Sequence, residues 1–190
     1  MDASPTTRDK IMRAALDLVA EDGFSAATTA AIAARAGVAE GTLYRHFPGK
    51  DALFVAVYLQ IKQAVYDSVL AETDRSGSVE ARFRQLWRGV WNAYRADPAG
   101  FAYGQRFSEY PLSRDQNGVV HEGIVSHIGE LIREGQADGT IKLAEASVLR
   151  AFFFPPLVFM LKQAAQGRSW SEAEIAAAID TAWDSWRATR

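Results

Sequence analysis

Thr28, Thr29, Glu40, Gly41, Thr42, Tyr44, Arg45, His46 and Lys50 crowd hydroxyl, carboxylate, imidazole and cationic groups into one short stretch of the chain. Their shared chemistry is hydrogen bonding and charge pairing, the chemistry of a nucleic-acid surface. The hydroxyls of Thr28, Thr29, Thr42 and Tyr44 can donate to phosphate oxygens, as can the His46 imidazole, while Arg45 and Lys50 add positive charge. Glu40 is suited to accept from a cytosine amino group, and the Thr42 methyl to touch a thymine methyl. Gly41 removes a side chain where a backbone would meet DNA. Taken singly these residues say little. Thr28-Thr29 is a helix cap that any helix can use, and one histidine is an ordinary surface residue; the joint spacing carries the reading.

The elements that must position them are short helices. Ile11, Ala14, Ala15, Leu18 and Val19 recur at helical spacing behind Thr6 or Thr7 as cap, with Asp9 in the first turn and Gly23-Phe24 as a stop. Thr28 caps a second helix carrying Ile32 and Ala33, and Gly37 ends it where a left-handed residue turns the chain. A third helix is expected over 39–47. Two helices joined through Ala36-Gly37-Val38 make a helix-turn-helix, whose second helix enters the major groove while the first braces it. Val38, Leu43 and Phe47 should anchor that second helix and leave the polar residues outward. A fourth helix is expected from Lys50 to Ala71, so that Lys50 joins a charge to the positive end of a helix dipole.

These residues resemble the TetR family of repressors. The resemblance runs through Ile11, Ala15, Gly23-Phe24, Thr28-Thr29, Ile32-Ala33, Ala36-Gly37-Val38, Gly41-Thr42-Leu43-Tyr44, His46-Phe47, Lys50 and Leu53. It implies an all-helical homodimer with a DNA-binding head, a larger domain that takes up a small inducer, and DNA contacts at Thr28, Thr29, Gly41, Thr42, Tyr44, His46 and Lys50. Two positions depart from the family pattern. Ala39 stands where a serine cap is usual and Gly49 where serine or asparagine precedes the lysine, removing two capping groups, each worth about 1 kcal/mol or less.

Composition narrows the field. The net charge of -2 means that affinity for nucleic acid must come from local geometry rather than long-range attraction. Within residues 1–50, Arg8, Lys10, Arg13, Arg35, Arg45 and Lys50 are balanced by Asp2, Asp9, Asp17, Glu21, Asp22 and Glu40. The absence of cysteine excludes disulfides, thiolate metal sites and a cysteine nucleophile. The first residues lack a basic and then apolar signal segment, and the most apolar run, 151–161, falls short of the roughly 20 residues of a membrane span. A cytoplasmic protein with no membrane partner is expected.

Beyond residue 78 further helices are expected over 79–96, 98–110, 119–137, 144–166 with a kink at Pro155-Pro156, and a last one opened by a Ser171/Glu174 capping box beside Trp170 and Ile175. Trp87, Trp91, Tyr94, Phe107, Tyr110 and His127 are the candidate lining of a site for an apolar or aromatic molecule, with Arg106, Glu109 and His121 as further polar groups. Phe152, Phe159, Ile179, Trp183 and Trp186 supply apolar surface for a dimer interface. A metalloprotease is the rival of another class, but His121 and His127 lie six apart where that chemistry needs four. No glycine-rich phosphate loop, cofactor motif or serine elbow is present.

The sequence therefore predicts an all-α chain, with a helix-turn-helix domain over 1–50 and a helical ligand-binding and dimerisation domain over 51–190. It points to a homodimeric repressor released from a pseudo-palindromic, double-stranded DNA operator by a small molecule. The alternative is a constitutive DNA-binding or adaptor protein without an inducer.

Overall fold

The computed structural model describes residues 4–113 and 123–189. Among the described residues the regular structure is helical, without a β-strand; one antiparallel bridge pairs Ile141 with Arg187. The chain forms two compact units, one from the described residues up to 64 with 97–113, the other from 65–96 with 123–189.

In the first unit, α1 (Thr7–Asp22) is opened by a capping box. The Thr6 hydroxyl accepts from the Asp9 amide, and the Asp9 carboxylate accepts from the Thr6 amide and hydroxyl. Those donors hold the Asp9 carboxyl below its usual range. Ile11, Ala14, Ala15 and Val19 are buried as their spacing predicts, and Met12 and Leu16 widen the face, while Leu18 is half-buried. α2 (Thr29–Ala36) is capped by the Thr28 hydroxyl, which accepts from the Ala31 amide, and is closed by Gly37 at φ 68° and ψ 34°. That left-handed conformation is the one a side chain resists. α3 (Glu40–His46) follows, and α1, α2 and α3 pack together.

α4 (Lys50–Ala71) contributes its residues up to 64 to this unit. α6 (Pro98–Ser108), which follows α5 (Val79–Ala96) in the chain, lies against α1. The Asp97 carboxylate caps α6 by accepting from the Gly100 amide at 2.9 Å, and Pro98 occupies a first-turn position where no N–H is needed. The helix expected to reach 110 stops at Ser108, and a 3-10 turn spans Pro111–Ser113. Arg106 reaches back to the end of α1 and donates to the Ala20 and Glu21 carbonyls at 3.4 Å.

The second unit holds α5 together with α7 (Ile124–Ala137), α8 (Ala146–Arg150), α9 (Phe154–Ala165) and α10 (Glu172–Asp184). Residues 119–122 of the helix expected from 119 lie outside the described residues. The helix expected over 144–166 is two helices, and the break falls at 151–153, ahead of the prolines rather than at them. The physical reason is that Pro155 and Pro156 sit in the first turn of α9, where a missing N–H costs nothing and the fixed φ favours starting a helix. The apolar stretch 146–165 is long enough for a membrane span, but that break divides it. α10 opens on the expected capping box between Ser171 and Glu174. In its core, the Phe83, Phe153, Trp183 and Trp186 rings interlock with centroids 4.8–5.9 Å apart. The Trp186 indole N–H is satisfied by the Leu149 carbonyl at 2.7 Å.

Candidate nucleic-acid interface

α3 is anchored by its apolar residues. Leu43 and Phe47 are buried and Val38 is half-buried, which fixes the face that α3 can turn outward. Along that face Glu40, Gly41, Tyr44, Arg45 and His46 are exposed and Thr42 is half-buried. Tyr44 keeps 54% of its surface accessible, unusual for a large aromatic that could pack, so its ring and hydroxyl are free to meet another surface. Ala39, at the cap position, provides no side-chain hydrogen bond, as the departure from the family pattern leads one to expect. Thr28 is exposed but its hydroxyl is engaged with the Ala31 amide. Lys50 is half-buried at the first residue of α4, with its ammonium 5.9 Å from the Phe54 ring centroid.

The charges on this unit are sorted by pairing. Arg13 is bound to Asp17 and Arg35 to Glu21, at 3.0 and 2.7 Å. Arg45 and Lys50 make no ion pair among the described residues. The balance of charge in the first fifty residues thus conceals cations available on the outward face of α3 and at the start of α4.

Two relationships around α3 are not legible in the sequence. The Thr29 hydroxyl donates to the Glu40 carboxylate at 2.6 Å, so two residues expected to touch DNA separately touch each other. The Arg8 guanidinium stands 4.5 Å over the ring of Phe47, the residue that closes α3, which adds a cation beside the helix end. Partners eleven and thirty-nine positions apart leave no periodic signal in the chain.

The candidate ligand residues do not assemble into one group. Phe107 and Tyr110 belong to the first unit, where with Phe24, Phe54, Tyr58 and Tyr103 they form a continuous ring cluster, and the Tyr110 hydroxyl donates to Asp51 at 3.1 Å. Phe107 is buried within this cluster and Tyr110 half-buried at its edge. Burial first, and then the Asp51 contact, push the Tyr110 phenol above its ordinary range. Arg106, Glu109 and Tyr110 do border an open depression of about 380 Å³ with Phe24. Trp87, Trp91, Tyr94 and His127 lie in the second unit. Trp87 is fully buried and stacks on Trp91, and its indole N–H is buried with no hydrogen-bond partner. His127 is half-buried, and desolvation lowers its imidazole below the ordinary value. His121 lies outside the described residues.

The candidate interface residues divide as well. Ile179, Trp183 and Trp186 are 5%, 4% and 0% exposed, so these three are corrected from interface to interior; the stripe on α10 is consumed within its own unit. Phe152 and Phe159 stay 50% and 57% exposed. They line an apolar groove of about 580 Å³ with Pro156, Met160, Ala177 and Ala178.

A braced three-helix unit that presents its short third helix outward is the helix-turn-helix architecture of DNA-binding proteins. Residues 11–57 match the bacterial regulatory proteins of the tetR family, and residues 78–187 match the tetracyclin repressor-like C-terminal domain. The chain belongs to the TetR family, a family of transcription regulators rather than enzymes. A solved TetR-family transcription regulator from Shewanella sp. PV-4 superimposes with a TM-score of 0.86 at 30% identity, over 97% of this chain and 100% of that one. In sequence, the nucleoid occlusion factor SlmA of Marinobacter nauticus is 34% identical over 82 residues, 43% of this chain and 42% of that protein. The HTH-type transcriptional regulator UidR of Escherichia coli K12 is 42% identical over 59 residues, 31% of this chain and 30% of that protein. The chain thus spans less than half the length of these curated relatives.

Proposed function

We propose that this protein is a cytoplasmic, homodimeric transcriptional repressor that binds a pseudo-palindromic DNA operator and is released from it by a small, largely apolar molecule. The observation that carries the DNA-binding part is the outward face of α3, where Tyr44, Arg45 and His46 are exposed while Leu43 and Phe47 are buried. Thr42, Tyr44 and Lys50 contact phosphate, and Glu40 faces base edges.

Dimerisation is supported by the exposed Phe152 and Phe159 beside a groove floored by alanines, since small residues let a partner helix approach closely. A twofold axis sets two recognition helices about one DNA turn apart. The inducer is supported by the unpartnered indole N–H of buried Trp87. A buried donor left unsatisfied is costly, and a ligand with one acceptor on an apolar body would relieve it. α4 runs unbroken from Lys50 to Ala71 and is the covalent route between the DNA-facing lysine and the second unit. The coupling equals the difference in inducer affinity between the DNA-competent and released conformations.

The test is selection of duplexes from the source genome by the purified protein, followed by titration of the complex with apolar ketones and amides while tryptophan fluorescence is recorded. Enrichment of an inverted repeat, and its release together with a fluorescence change, supports the reading. Binding without sequence preference contradicts it. Selective binding that no such compound alters establishes the constitutive alternative instead.

A further inference from the structure

We infer that Thr29 is a positioning residue for base reading: its hydroxyl holds the Glu40 carboxylate so that this carboxylate accepts from the exocyclic amino group of a cytosine in each operator half-site. The inference rests on the DNA-binding reading above and adds to it the identity of one base and the role of one threonine.

The contact is 2.6 Å long and joins a hydroxyl to a carboxylate oxygen, within the range of a charge-assisted bond. A threonine hydroxyl carries a single proton. Thr29 is half-buried, and while that proton is donated to Glu40 it cannot be donated to a phosphate, so Thr29 is not available for a contact to the DNA backbone. Glu40 is the first residue of α3 and is exposed. An untethered glutamate there would sample many rotamers; Thr29 fixes one carboxylate oxygen and leaves Oε2 and the remaining lone pair of Oε1 to accept from outside.

What such an acceptor can read follows from the base edges. Guanine presents N7 and O6, and thymine presents O4, all acceptors that repel a carboxylate. Adenine offers an amino group beside the N7 acceptor. Within the base pair that amino group lies between its own N7 and the thymine O4, whereas the cytosine amino group has an acceptor, the guanine O6, on one side only, and is the donor a fixed carboxylate favours. The negative charge of Glu40 is also repelled by phosphate, which keeps it off the backbone and directs it to the groove floor.

The experiment selects duplexes from a randomised library with the full-length protein, then measures affinity for the selected operator and for its single-base variants. One half-site position should be cytosine, with about tenfold weaker binding when thymine replaces it. Thr29→Val should shrink that ratio to the value shown by Glu40→Ala, Thr29→Ser should preserve it, and Thr29→Val added to Glu40→Ala should change it no further. Circular dichroism melting reports whether each variant folds. Glu40→Gln supplies an independent arm, because a glutamine amide pairs with adenine and should move the preference from cytosine to adenine. If Thr29→Val weakens binding to every variant equally and leaves the ratio intact, Thr29 is a phosphate donor and the inference is overturned. It is also overturned if Glu40→Ala keeps the cytosine preference or Glu40→Gln moves nothing. A library that yields no enriched sequence overturns the inference together with the reading on which it rests.

Discussion

The Tyr103 hydroxyl donates to the Phe54 carbonyl at 2.9 Å in the buried centre of the first unit. The bond fastens α6 to α4, and burial pushes the phenol far above its ordinary range, so it remains a neutral donor. With α6 also packed on α1 and Arg106 donating to the α1 carbonyls, the unit carrying the recognition helix includes an element far along the chain. Tyr103→Phe keeps the ring stacking and removes only the donor. It should destabilise the protein by about 1 kcal/mol, read as a lower urea midpoint, with operator affinity well below the transition unchanged. An unaltered midpoint would show that the carbonyl loses nothing when the hydroxyl goes.

Tyr44 and Lys50 should separate by their charge. Replacing either by alanine weakens binding to all duplexes alike, since phosphate contacts position without specifying sequence. Only Lys50→Ala should flatten the dependence of log affinity on log salt, by about one unit of slope. Affinity measured across a salt series decides this, and an unchanged slope for Lys50→Ala would remove Lys50 from the interface.

Local features of this fold were legible in the sequence because their causes are local. The Ser171/Glu174 capping box, the left-handed Gly37 and the start of α5 at Val79 each follow from residues within four positions of one another, and the start of α1 was legible as a cap at Thr6 or Thr7, though not the capping box that Asp9 closes on Thr6. The outward face of α3 was legible for the same reason: once Leu43 and Phe47 are assigned inward, the helical period places Tyr44 and Arg45 outside. What the sequence withheld are pairings across distance. The stripe of Ile179, Trp183 and Trp186 was visible, but not that Phe83 and Phe153 of the same unit cover Trp183 and Trp186. The aromatic run from Trp87 to Tyr110 gave no sign that the chain passes from one unit to the other near residue 97. Thr29 and Glu40 looked like separate contacts because no periodic pattern links residues eleven apart on different helices.

The division between exposed Phe159 and buried Trp186 predicts opposite outcomes for two substitutions. Phe159→Glu should leave helicity near wild type, convert the proposed dimer to monomers in sedimentation velocity, and lower the melting temperature only by what association contributes. Trp186→Ala should instead cost about 3–5 kcal/mol of folding stability through the cavity it leaves. A Phe159→Glu protein that still sediments as a dimer would move the subunit interface elsewhere.

His127 gives the protein a calculable response to acid. Its imidazole is lowered from the ordinary value of 6.5, first by desolvation, with Arg75 and Arg82 adding to the effect and the Glu130 carboxylate opposing it. The folded state therefore resists a proton that the unfolded chain accepts. Above the unfolded value both states are neutral and His127 contributes nothing to the pH dependence. As pH falls through that value, the unfolded state binds more protons and stability declines, until the folded value is passed and the loss levels off. His127→Gln removes the titration and should lose less stability than wild type between about pH 7 and pH 5, read as urea midpoints over a pH series. Parallel curves for the two proteins would show that the imidazole titrates alike in both states, and that the shielding around it is relieved in solution.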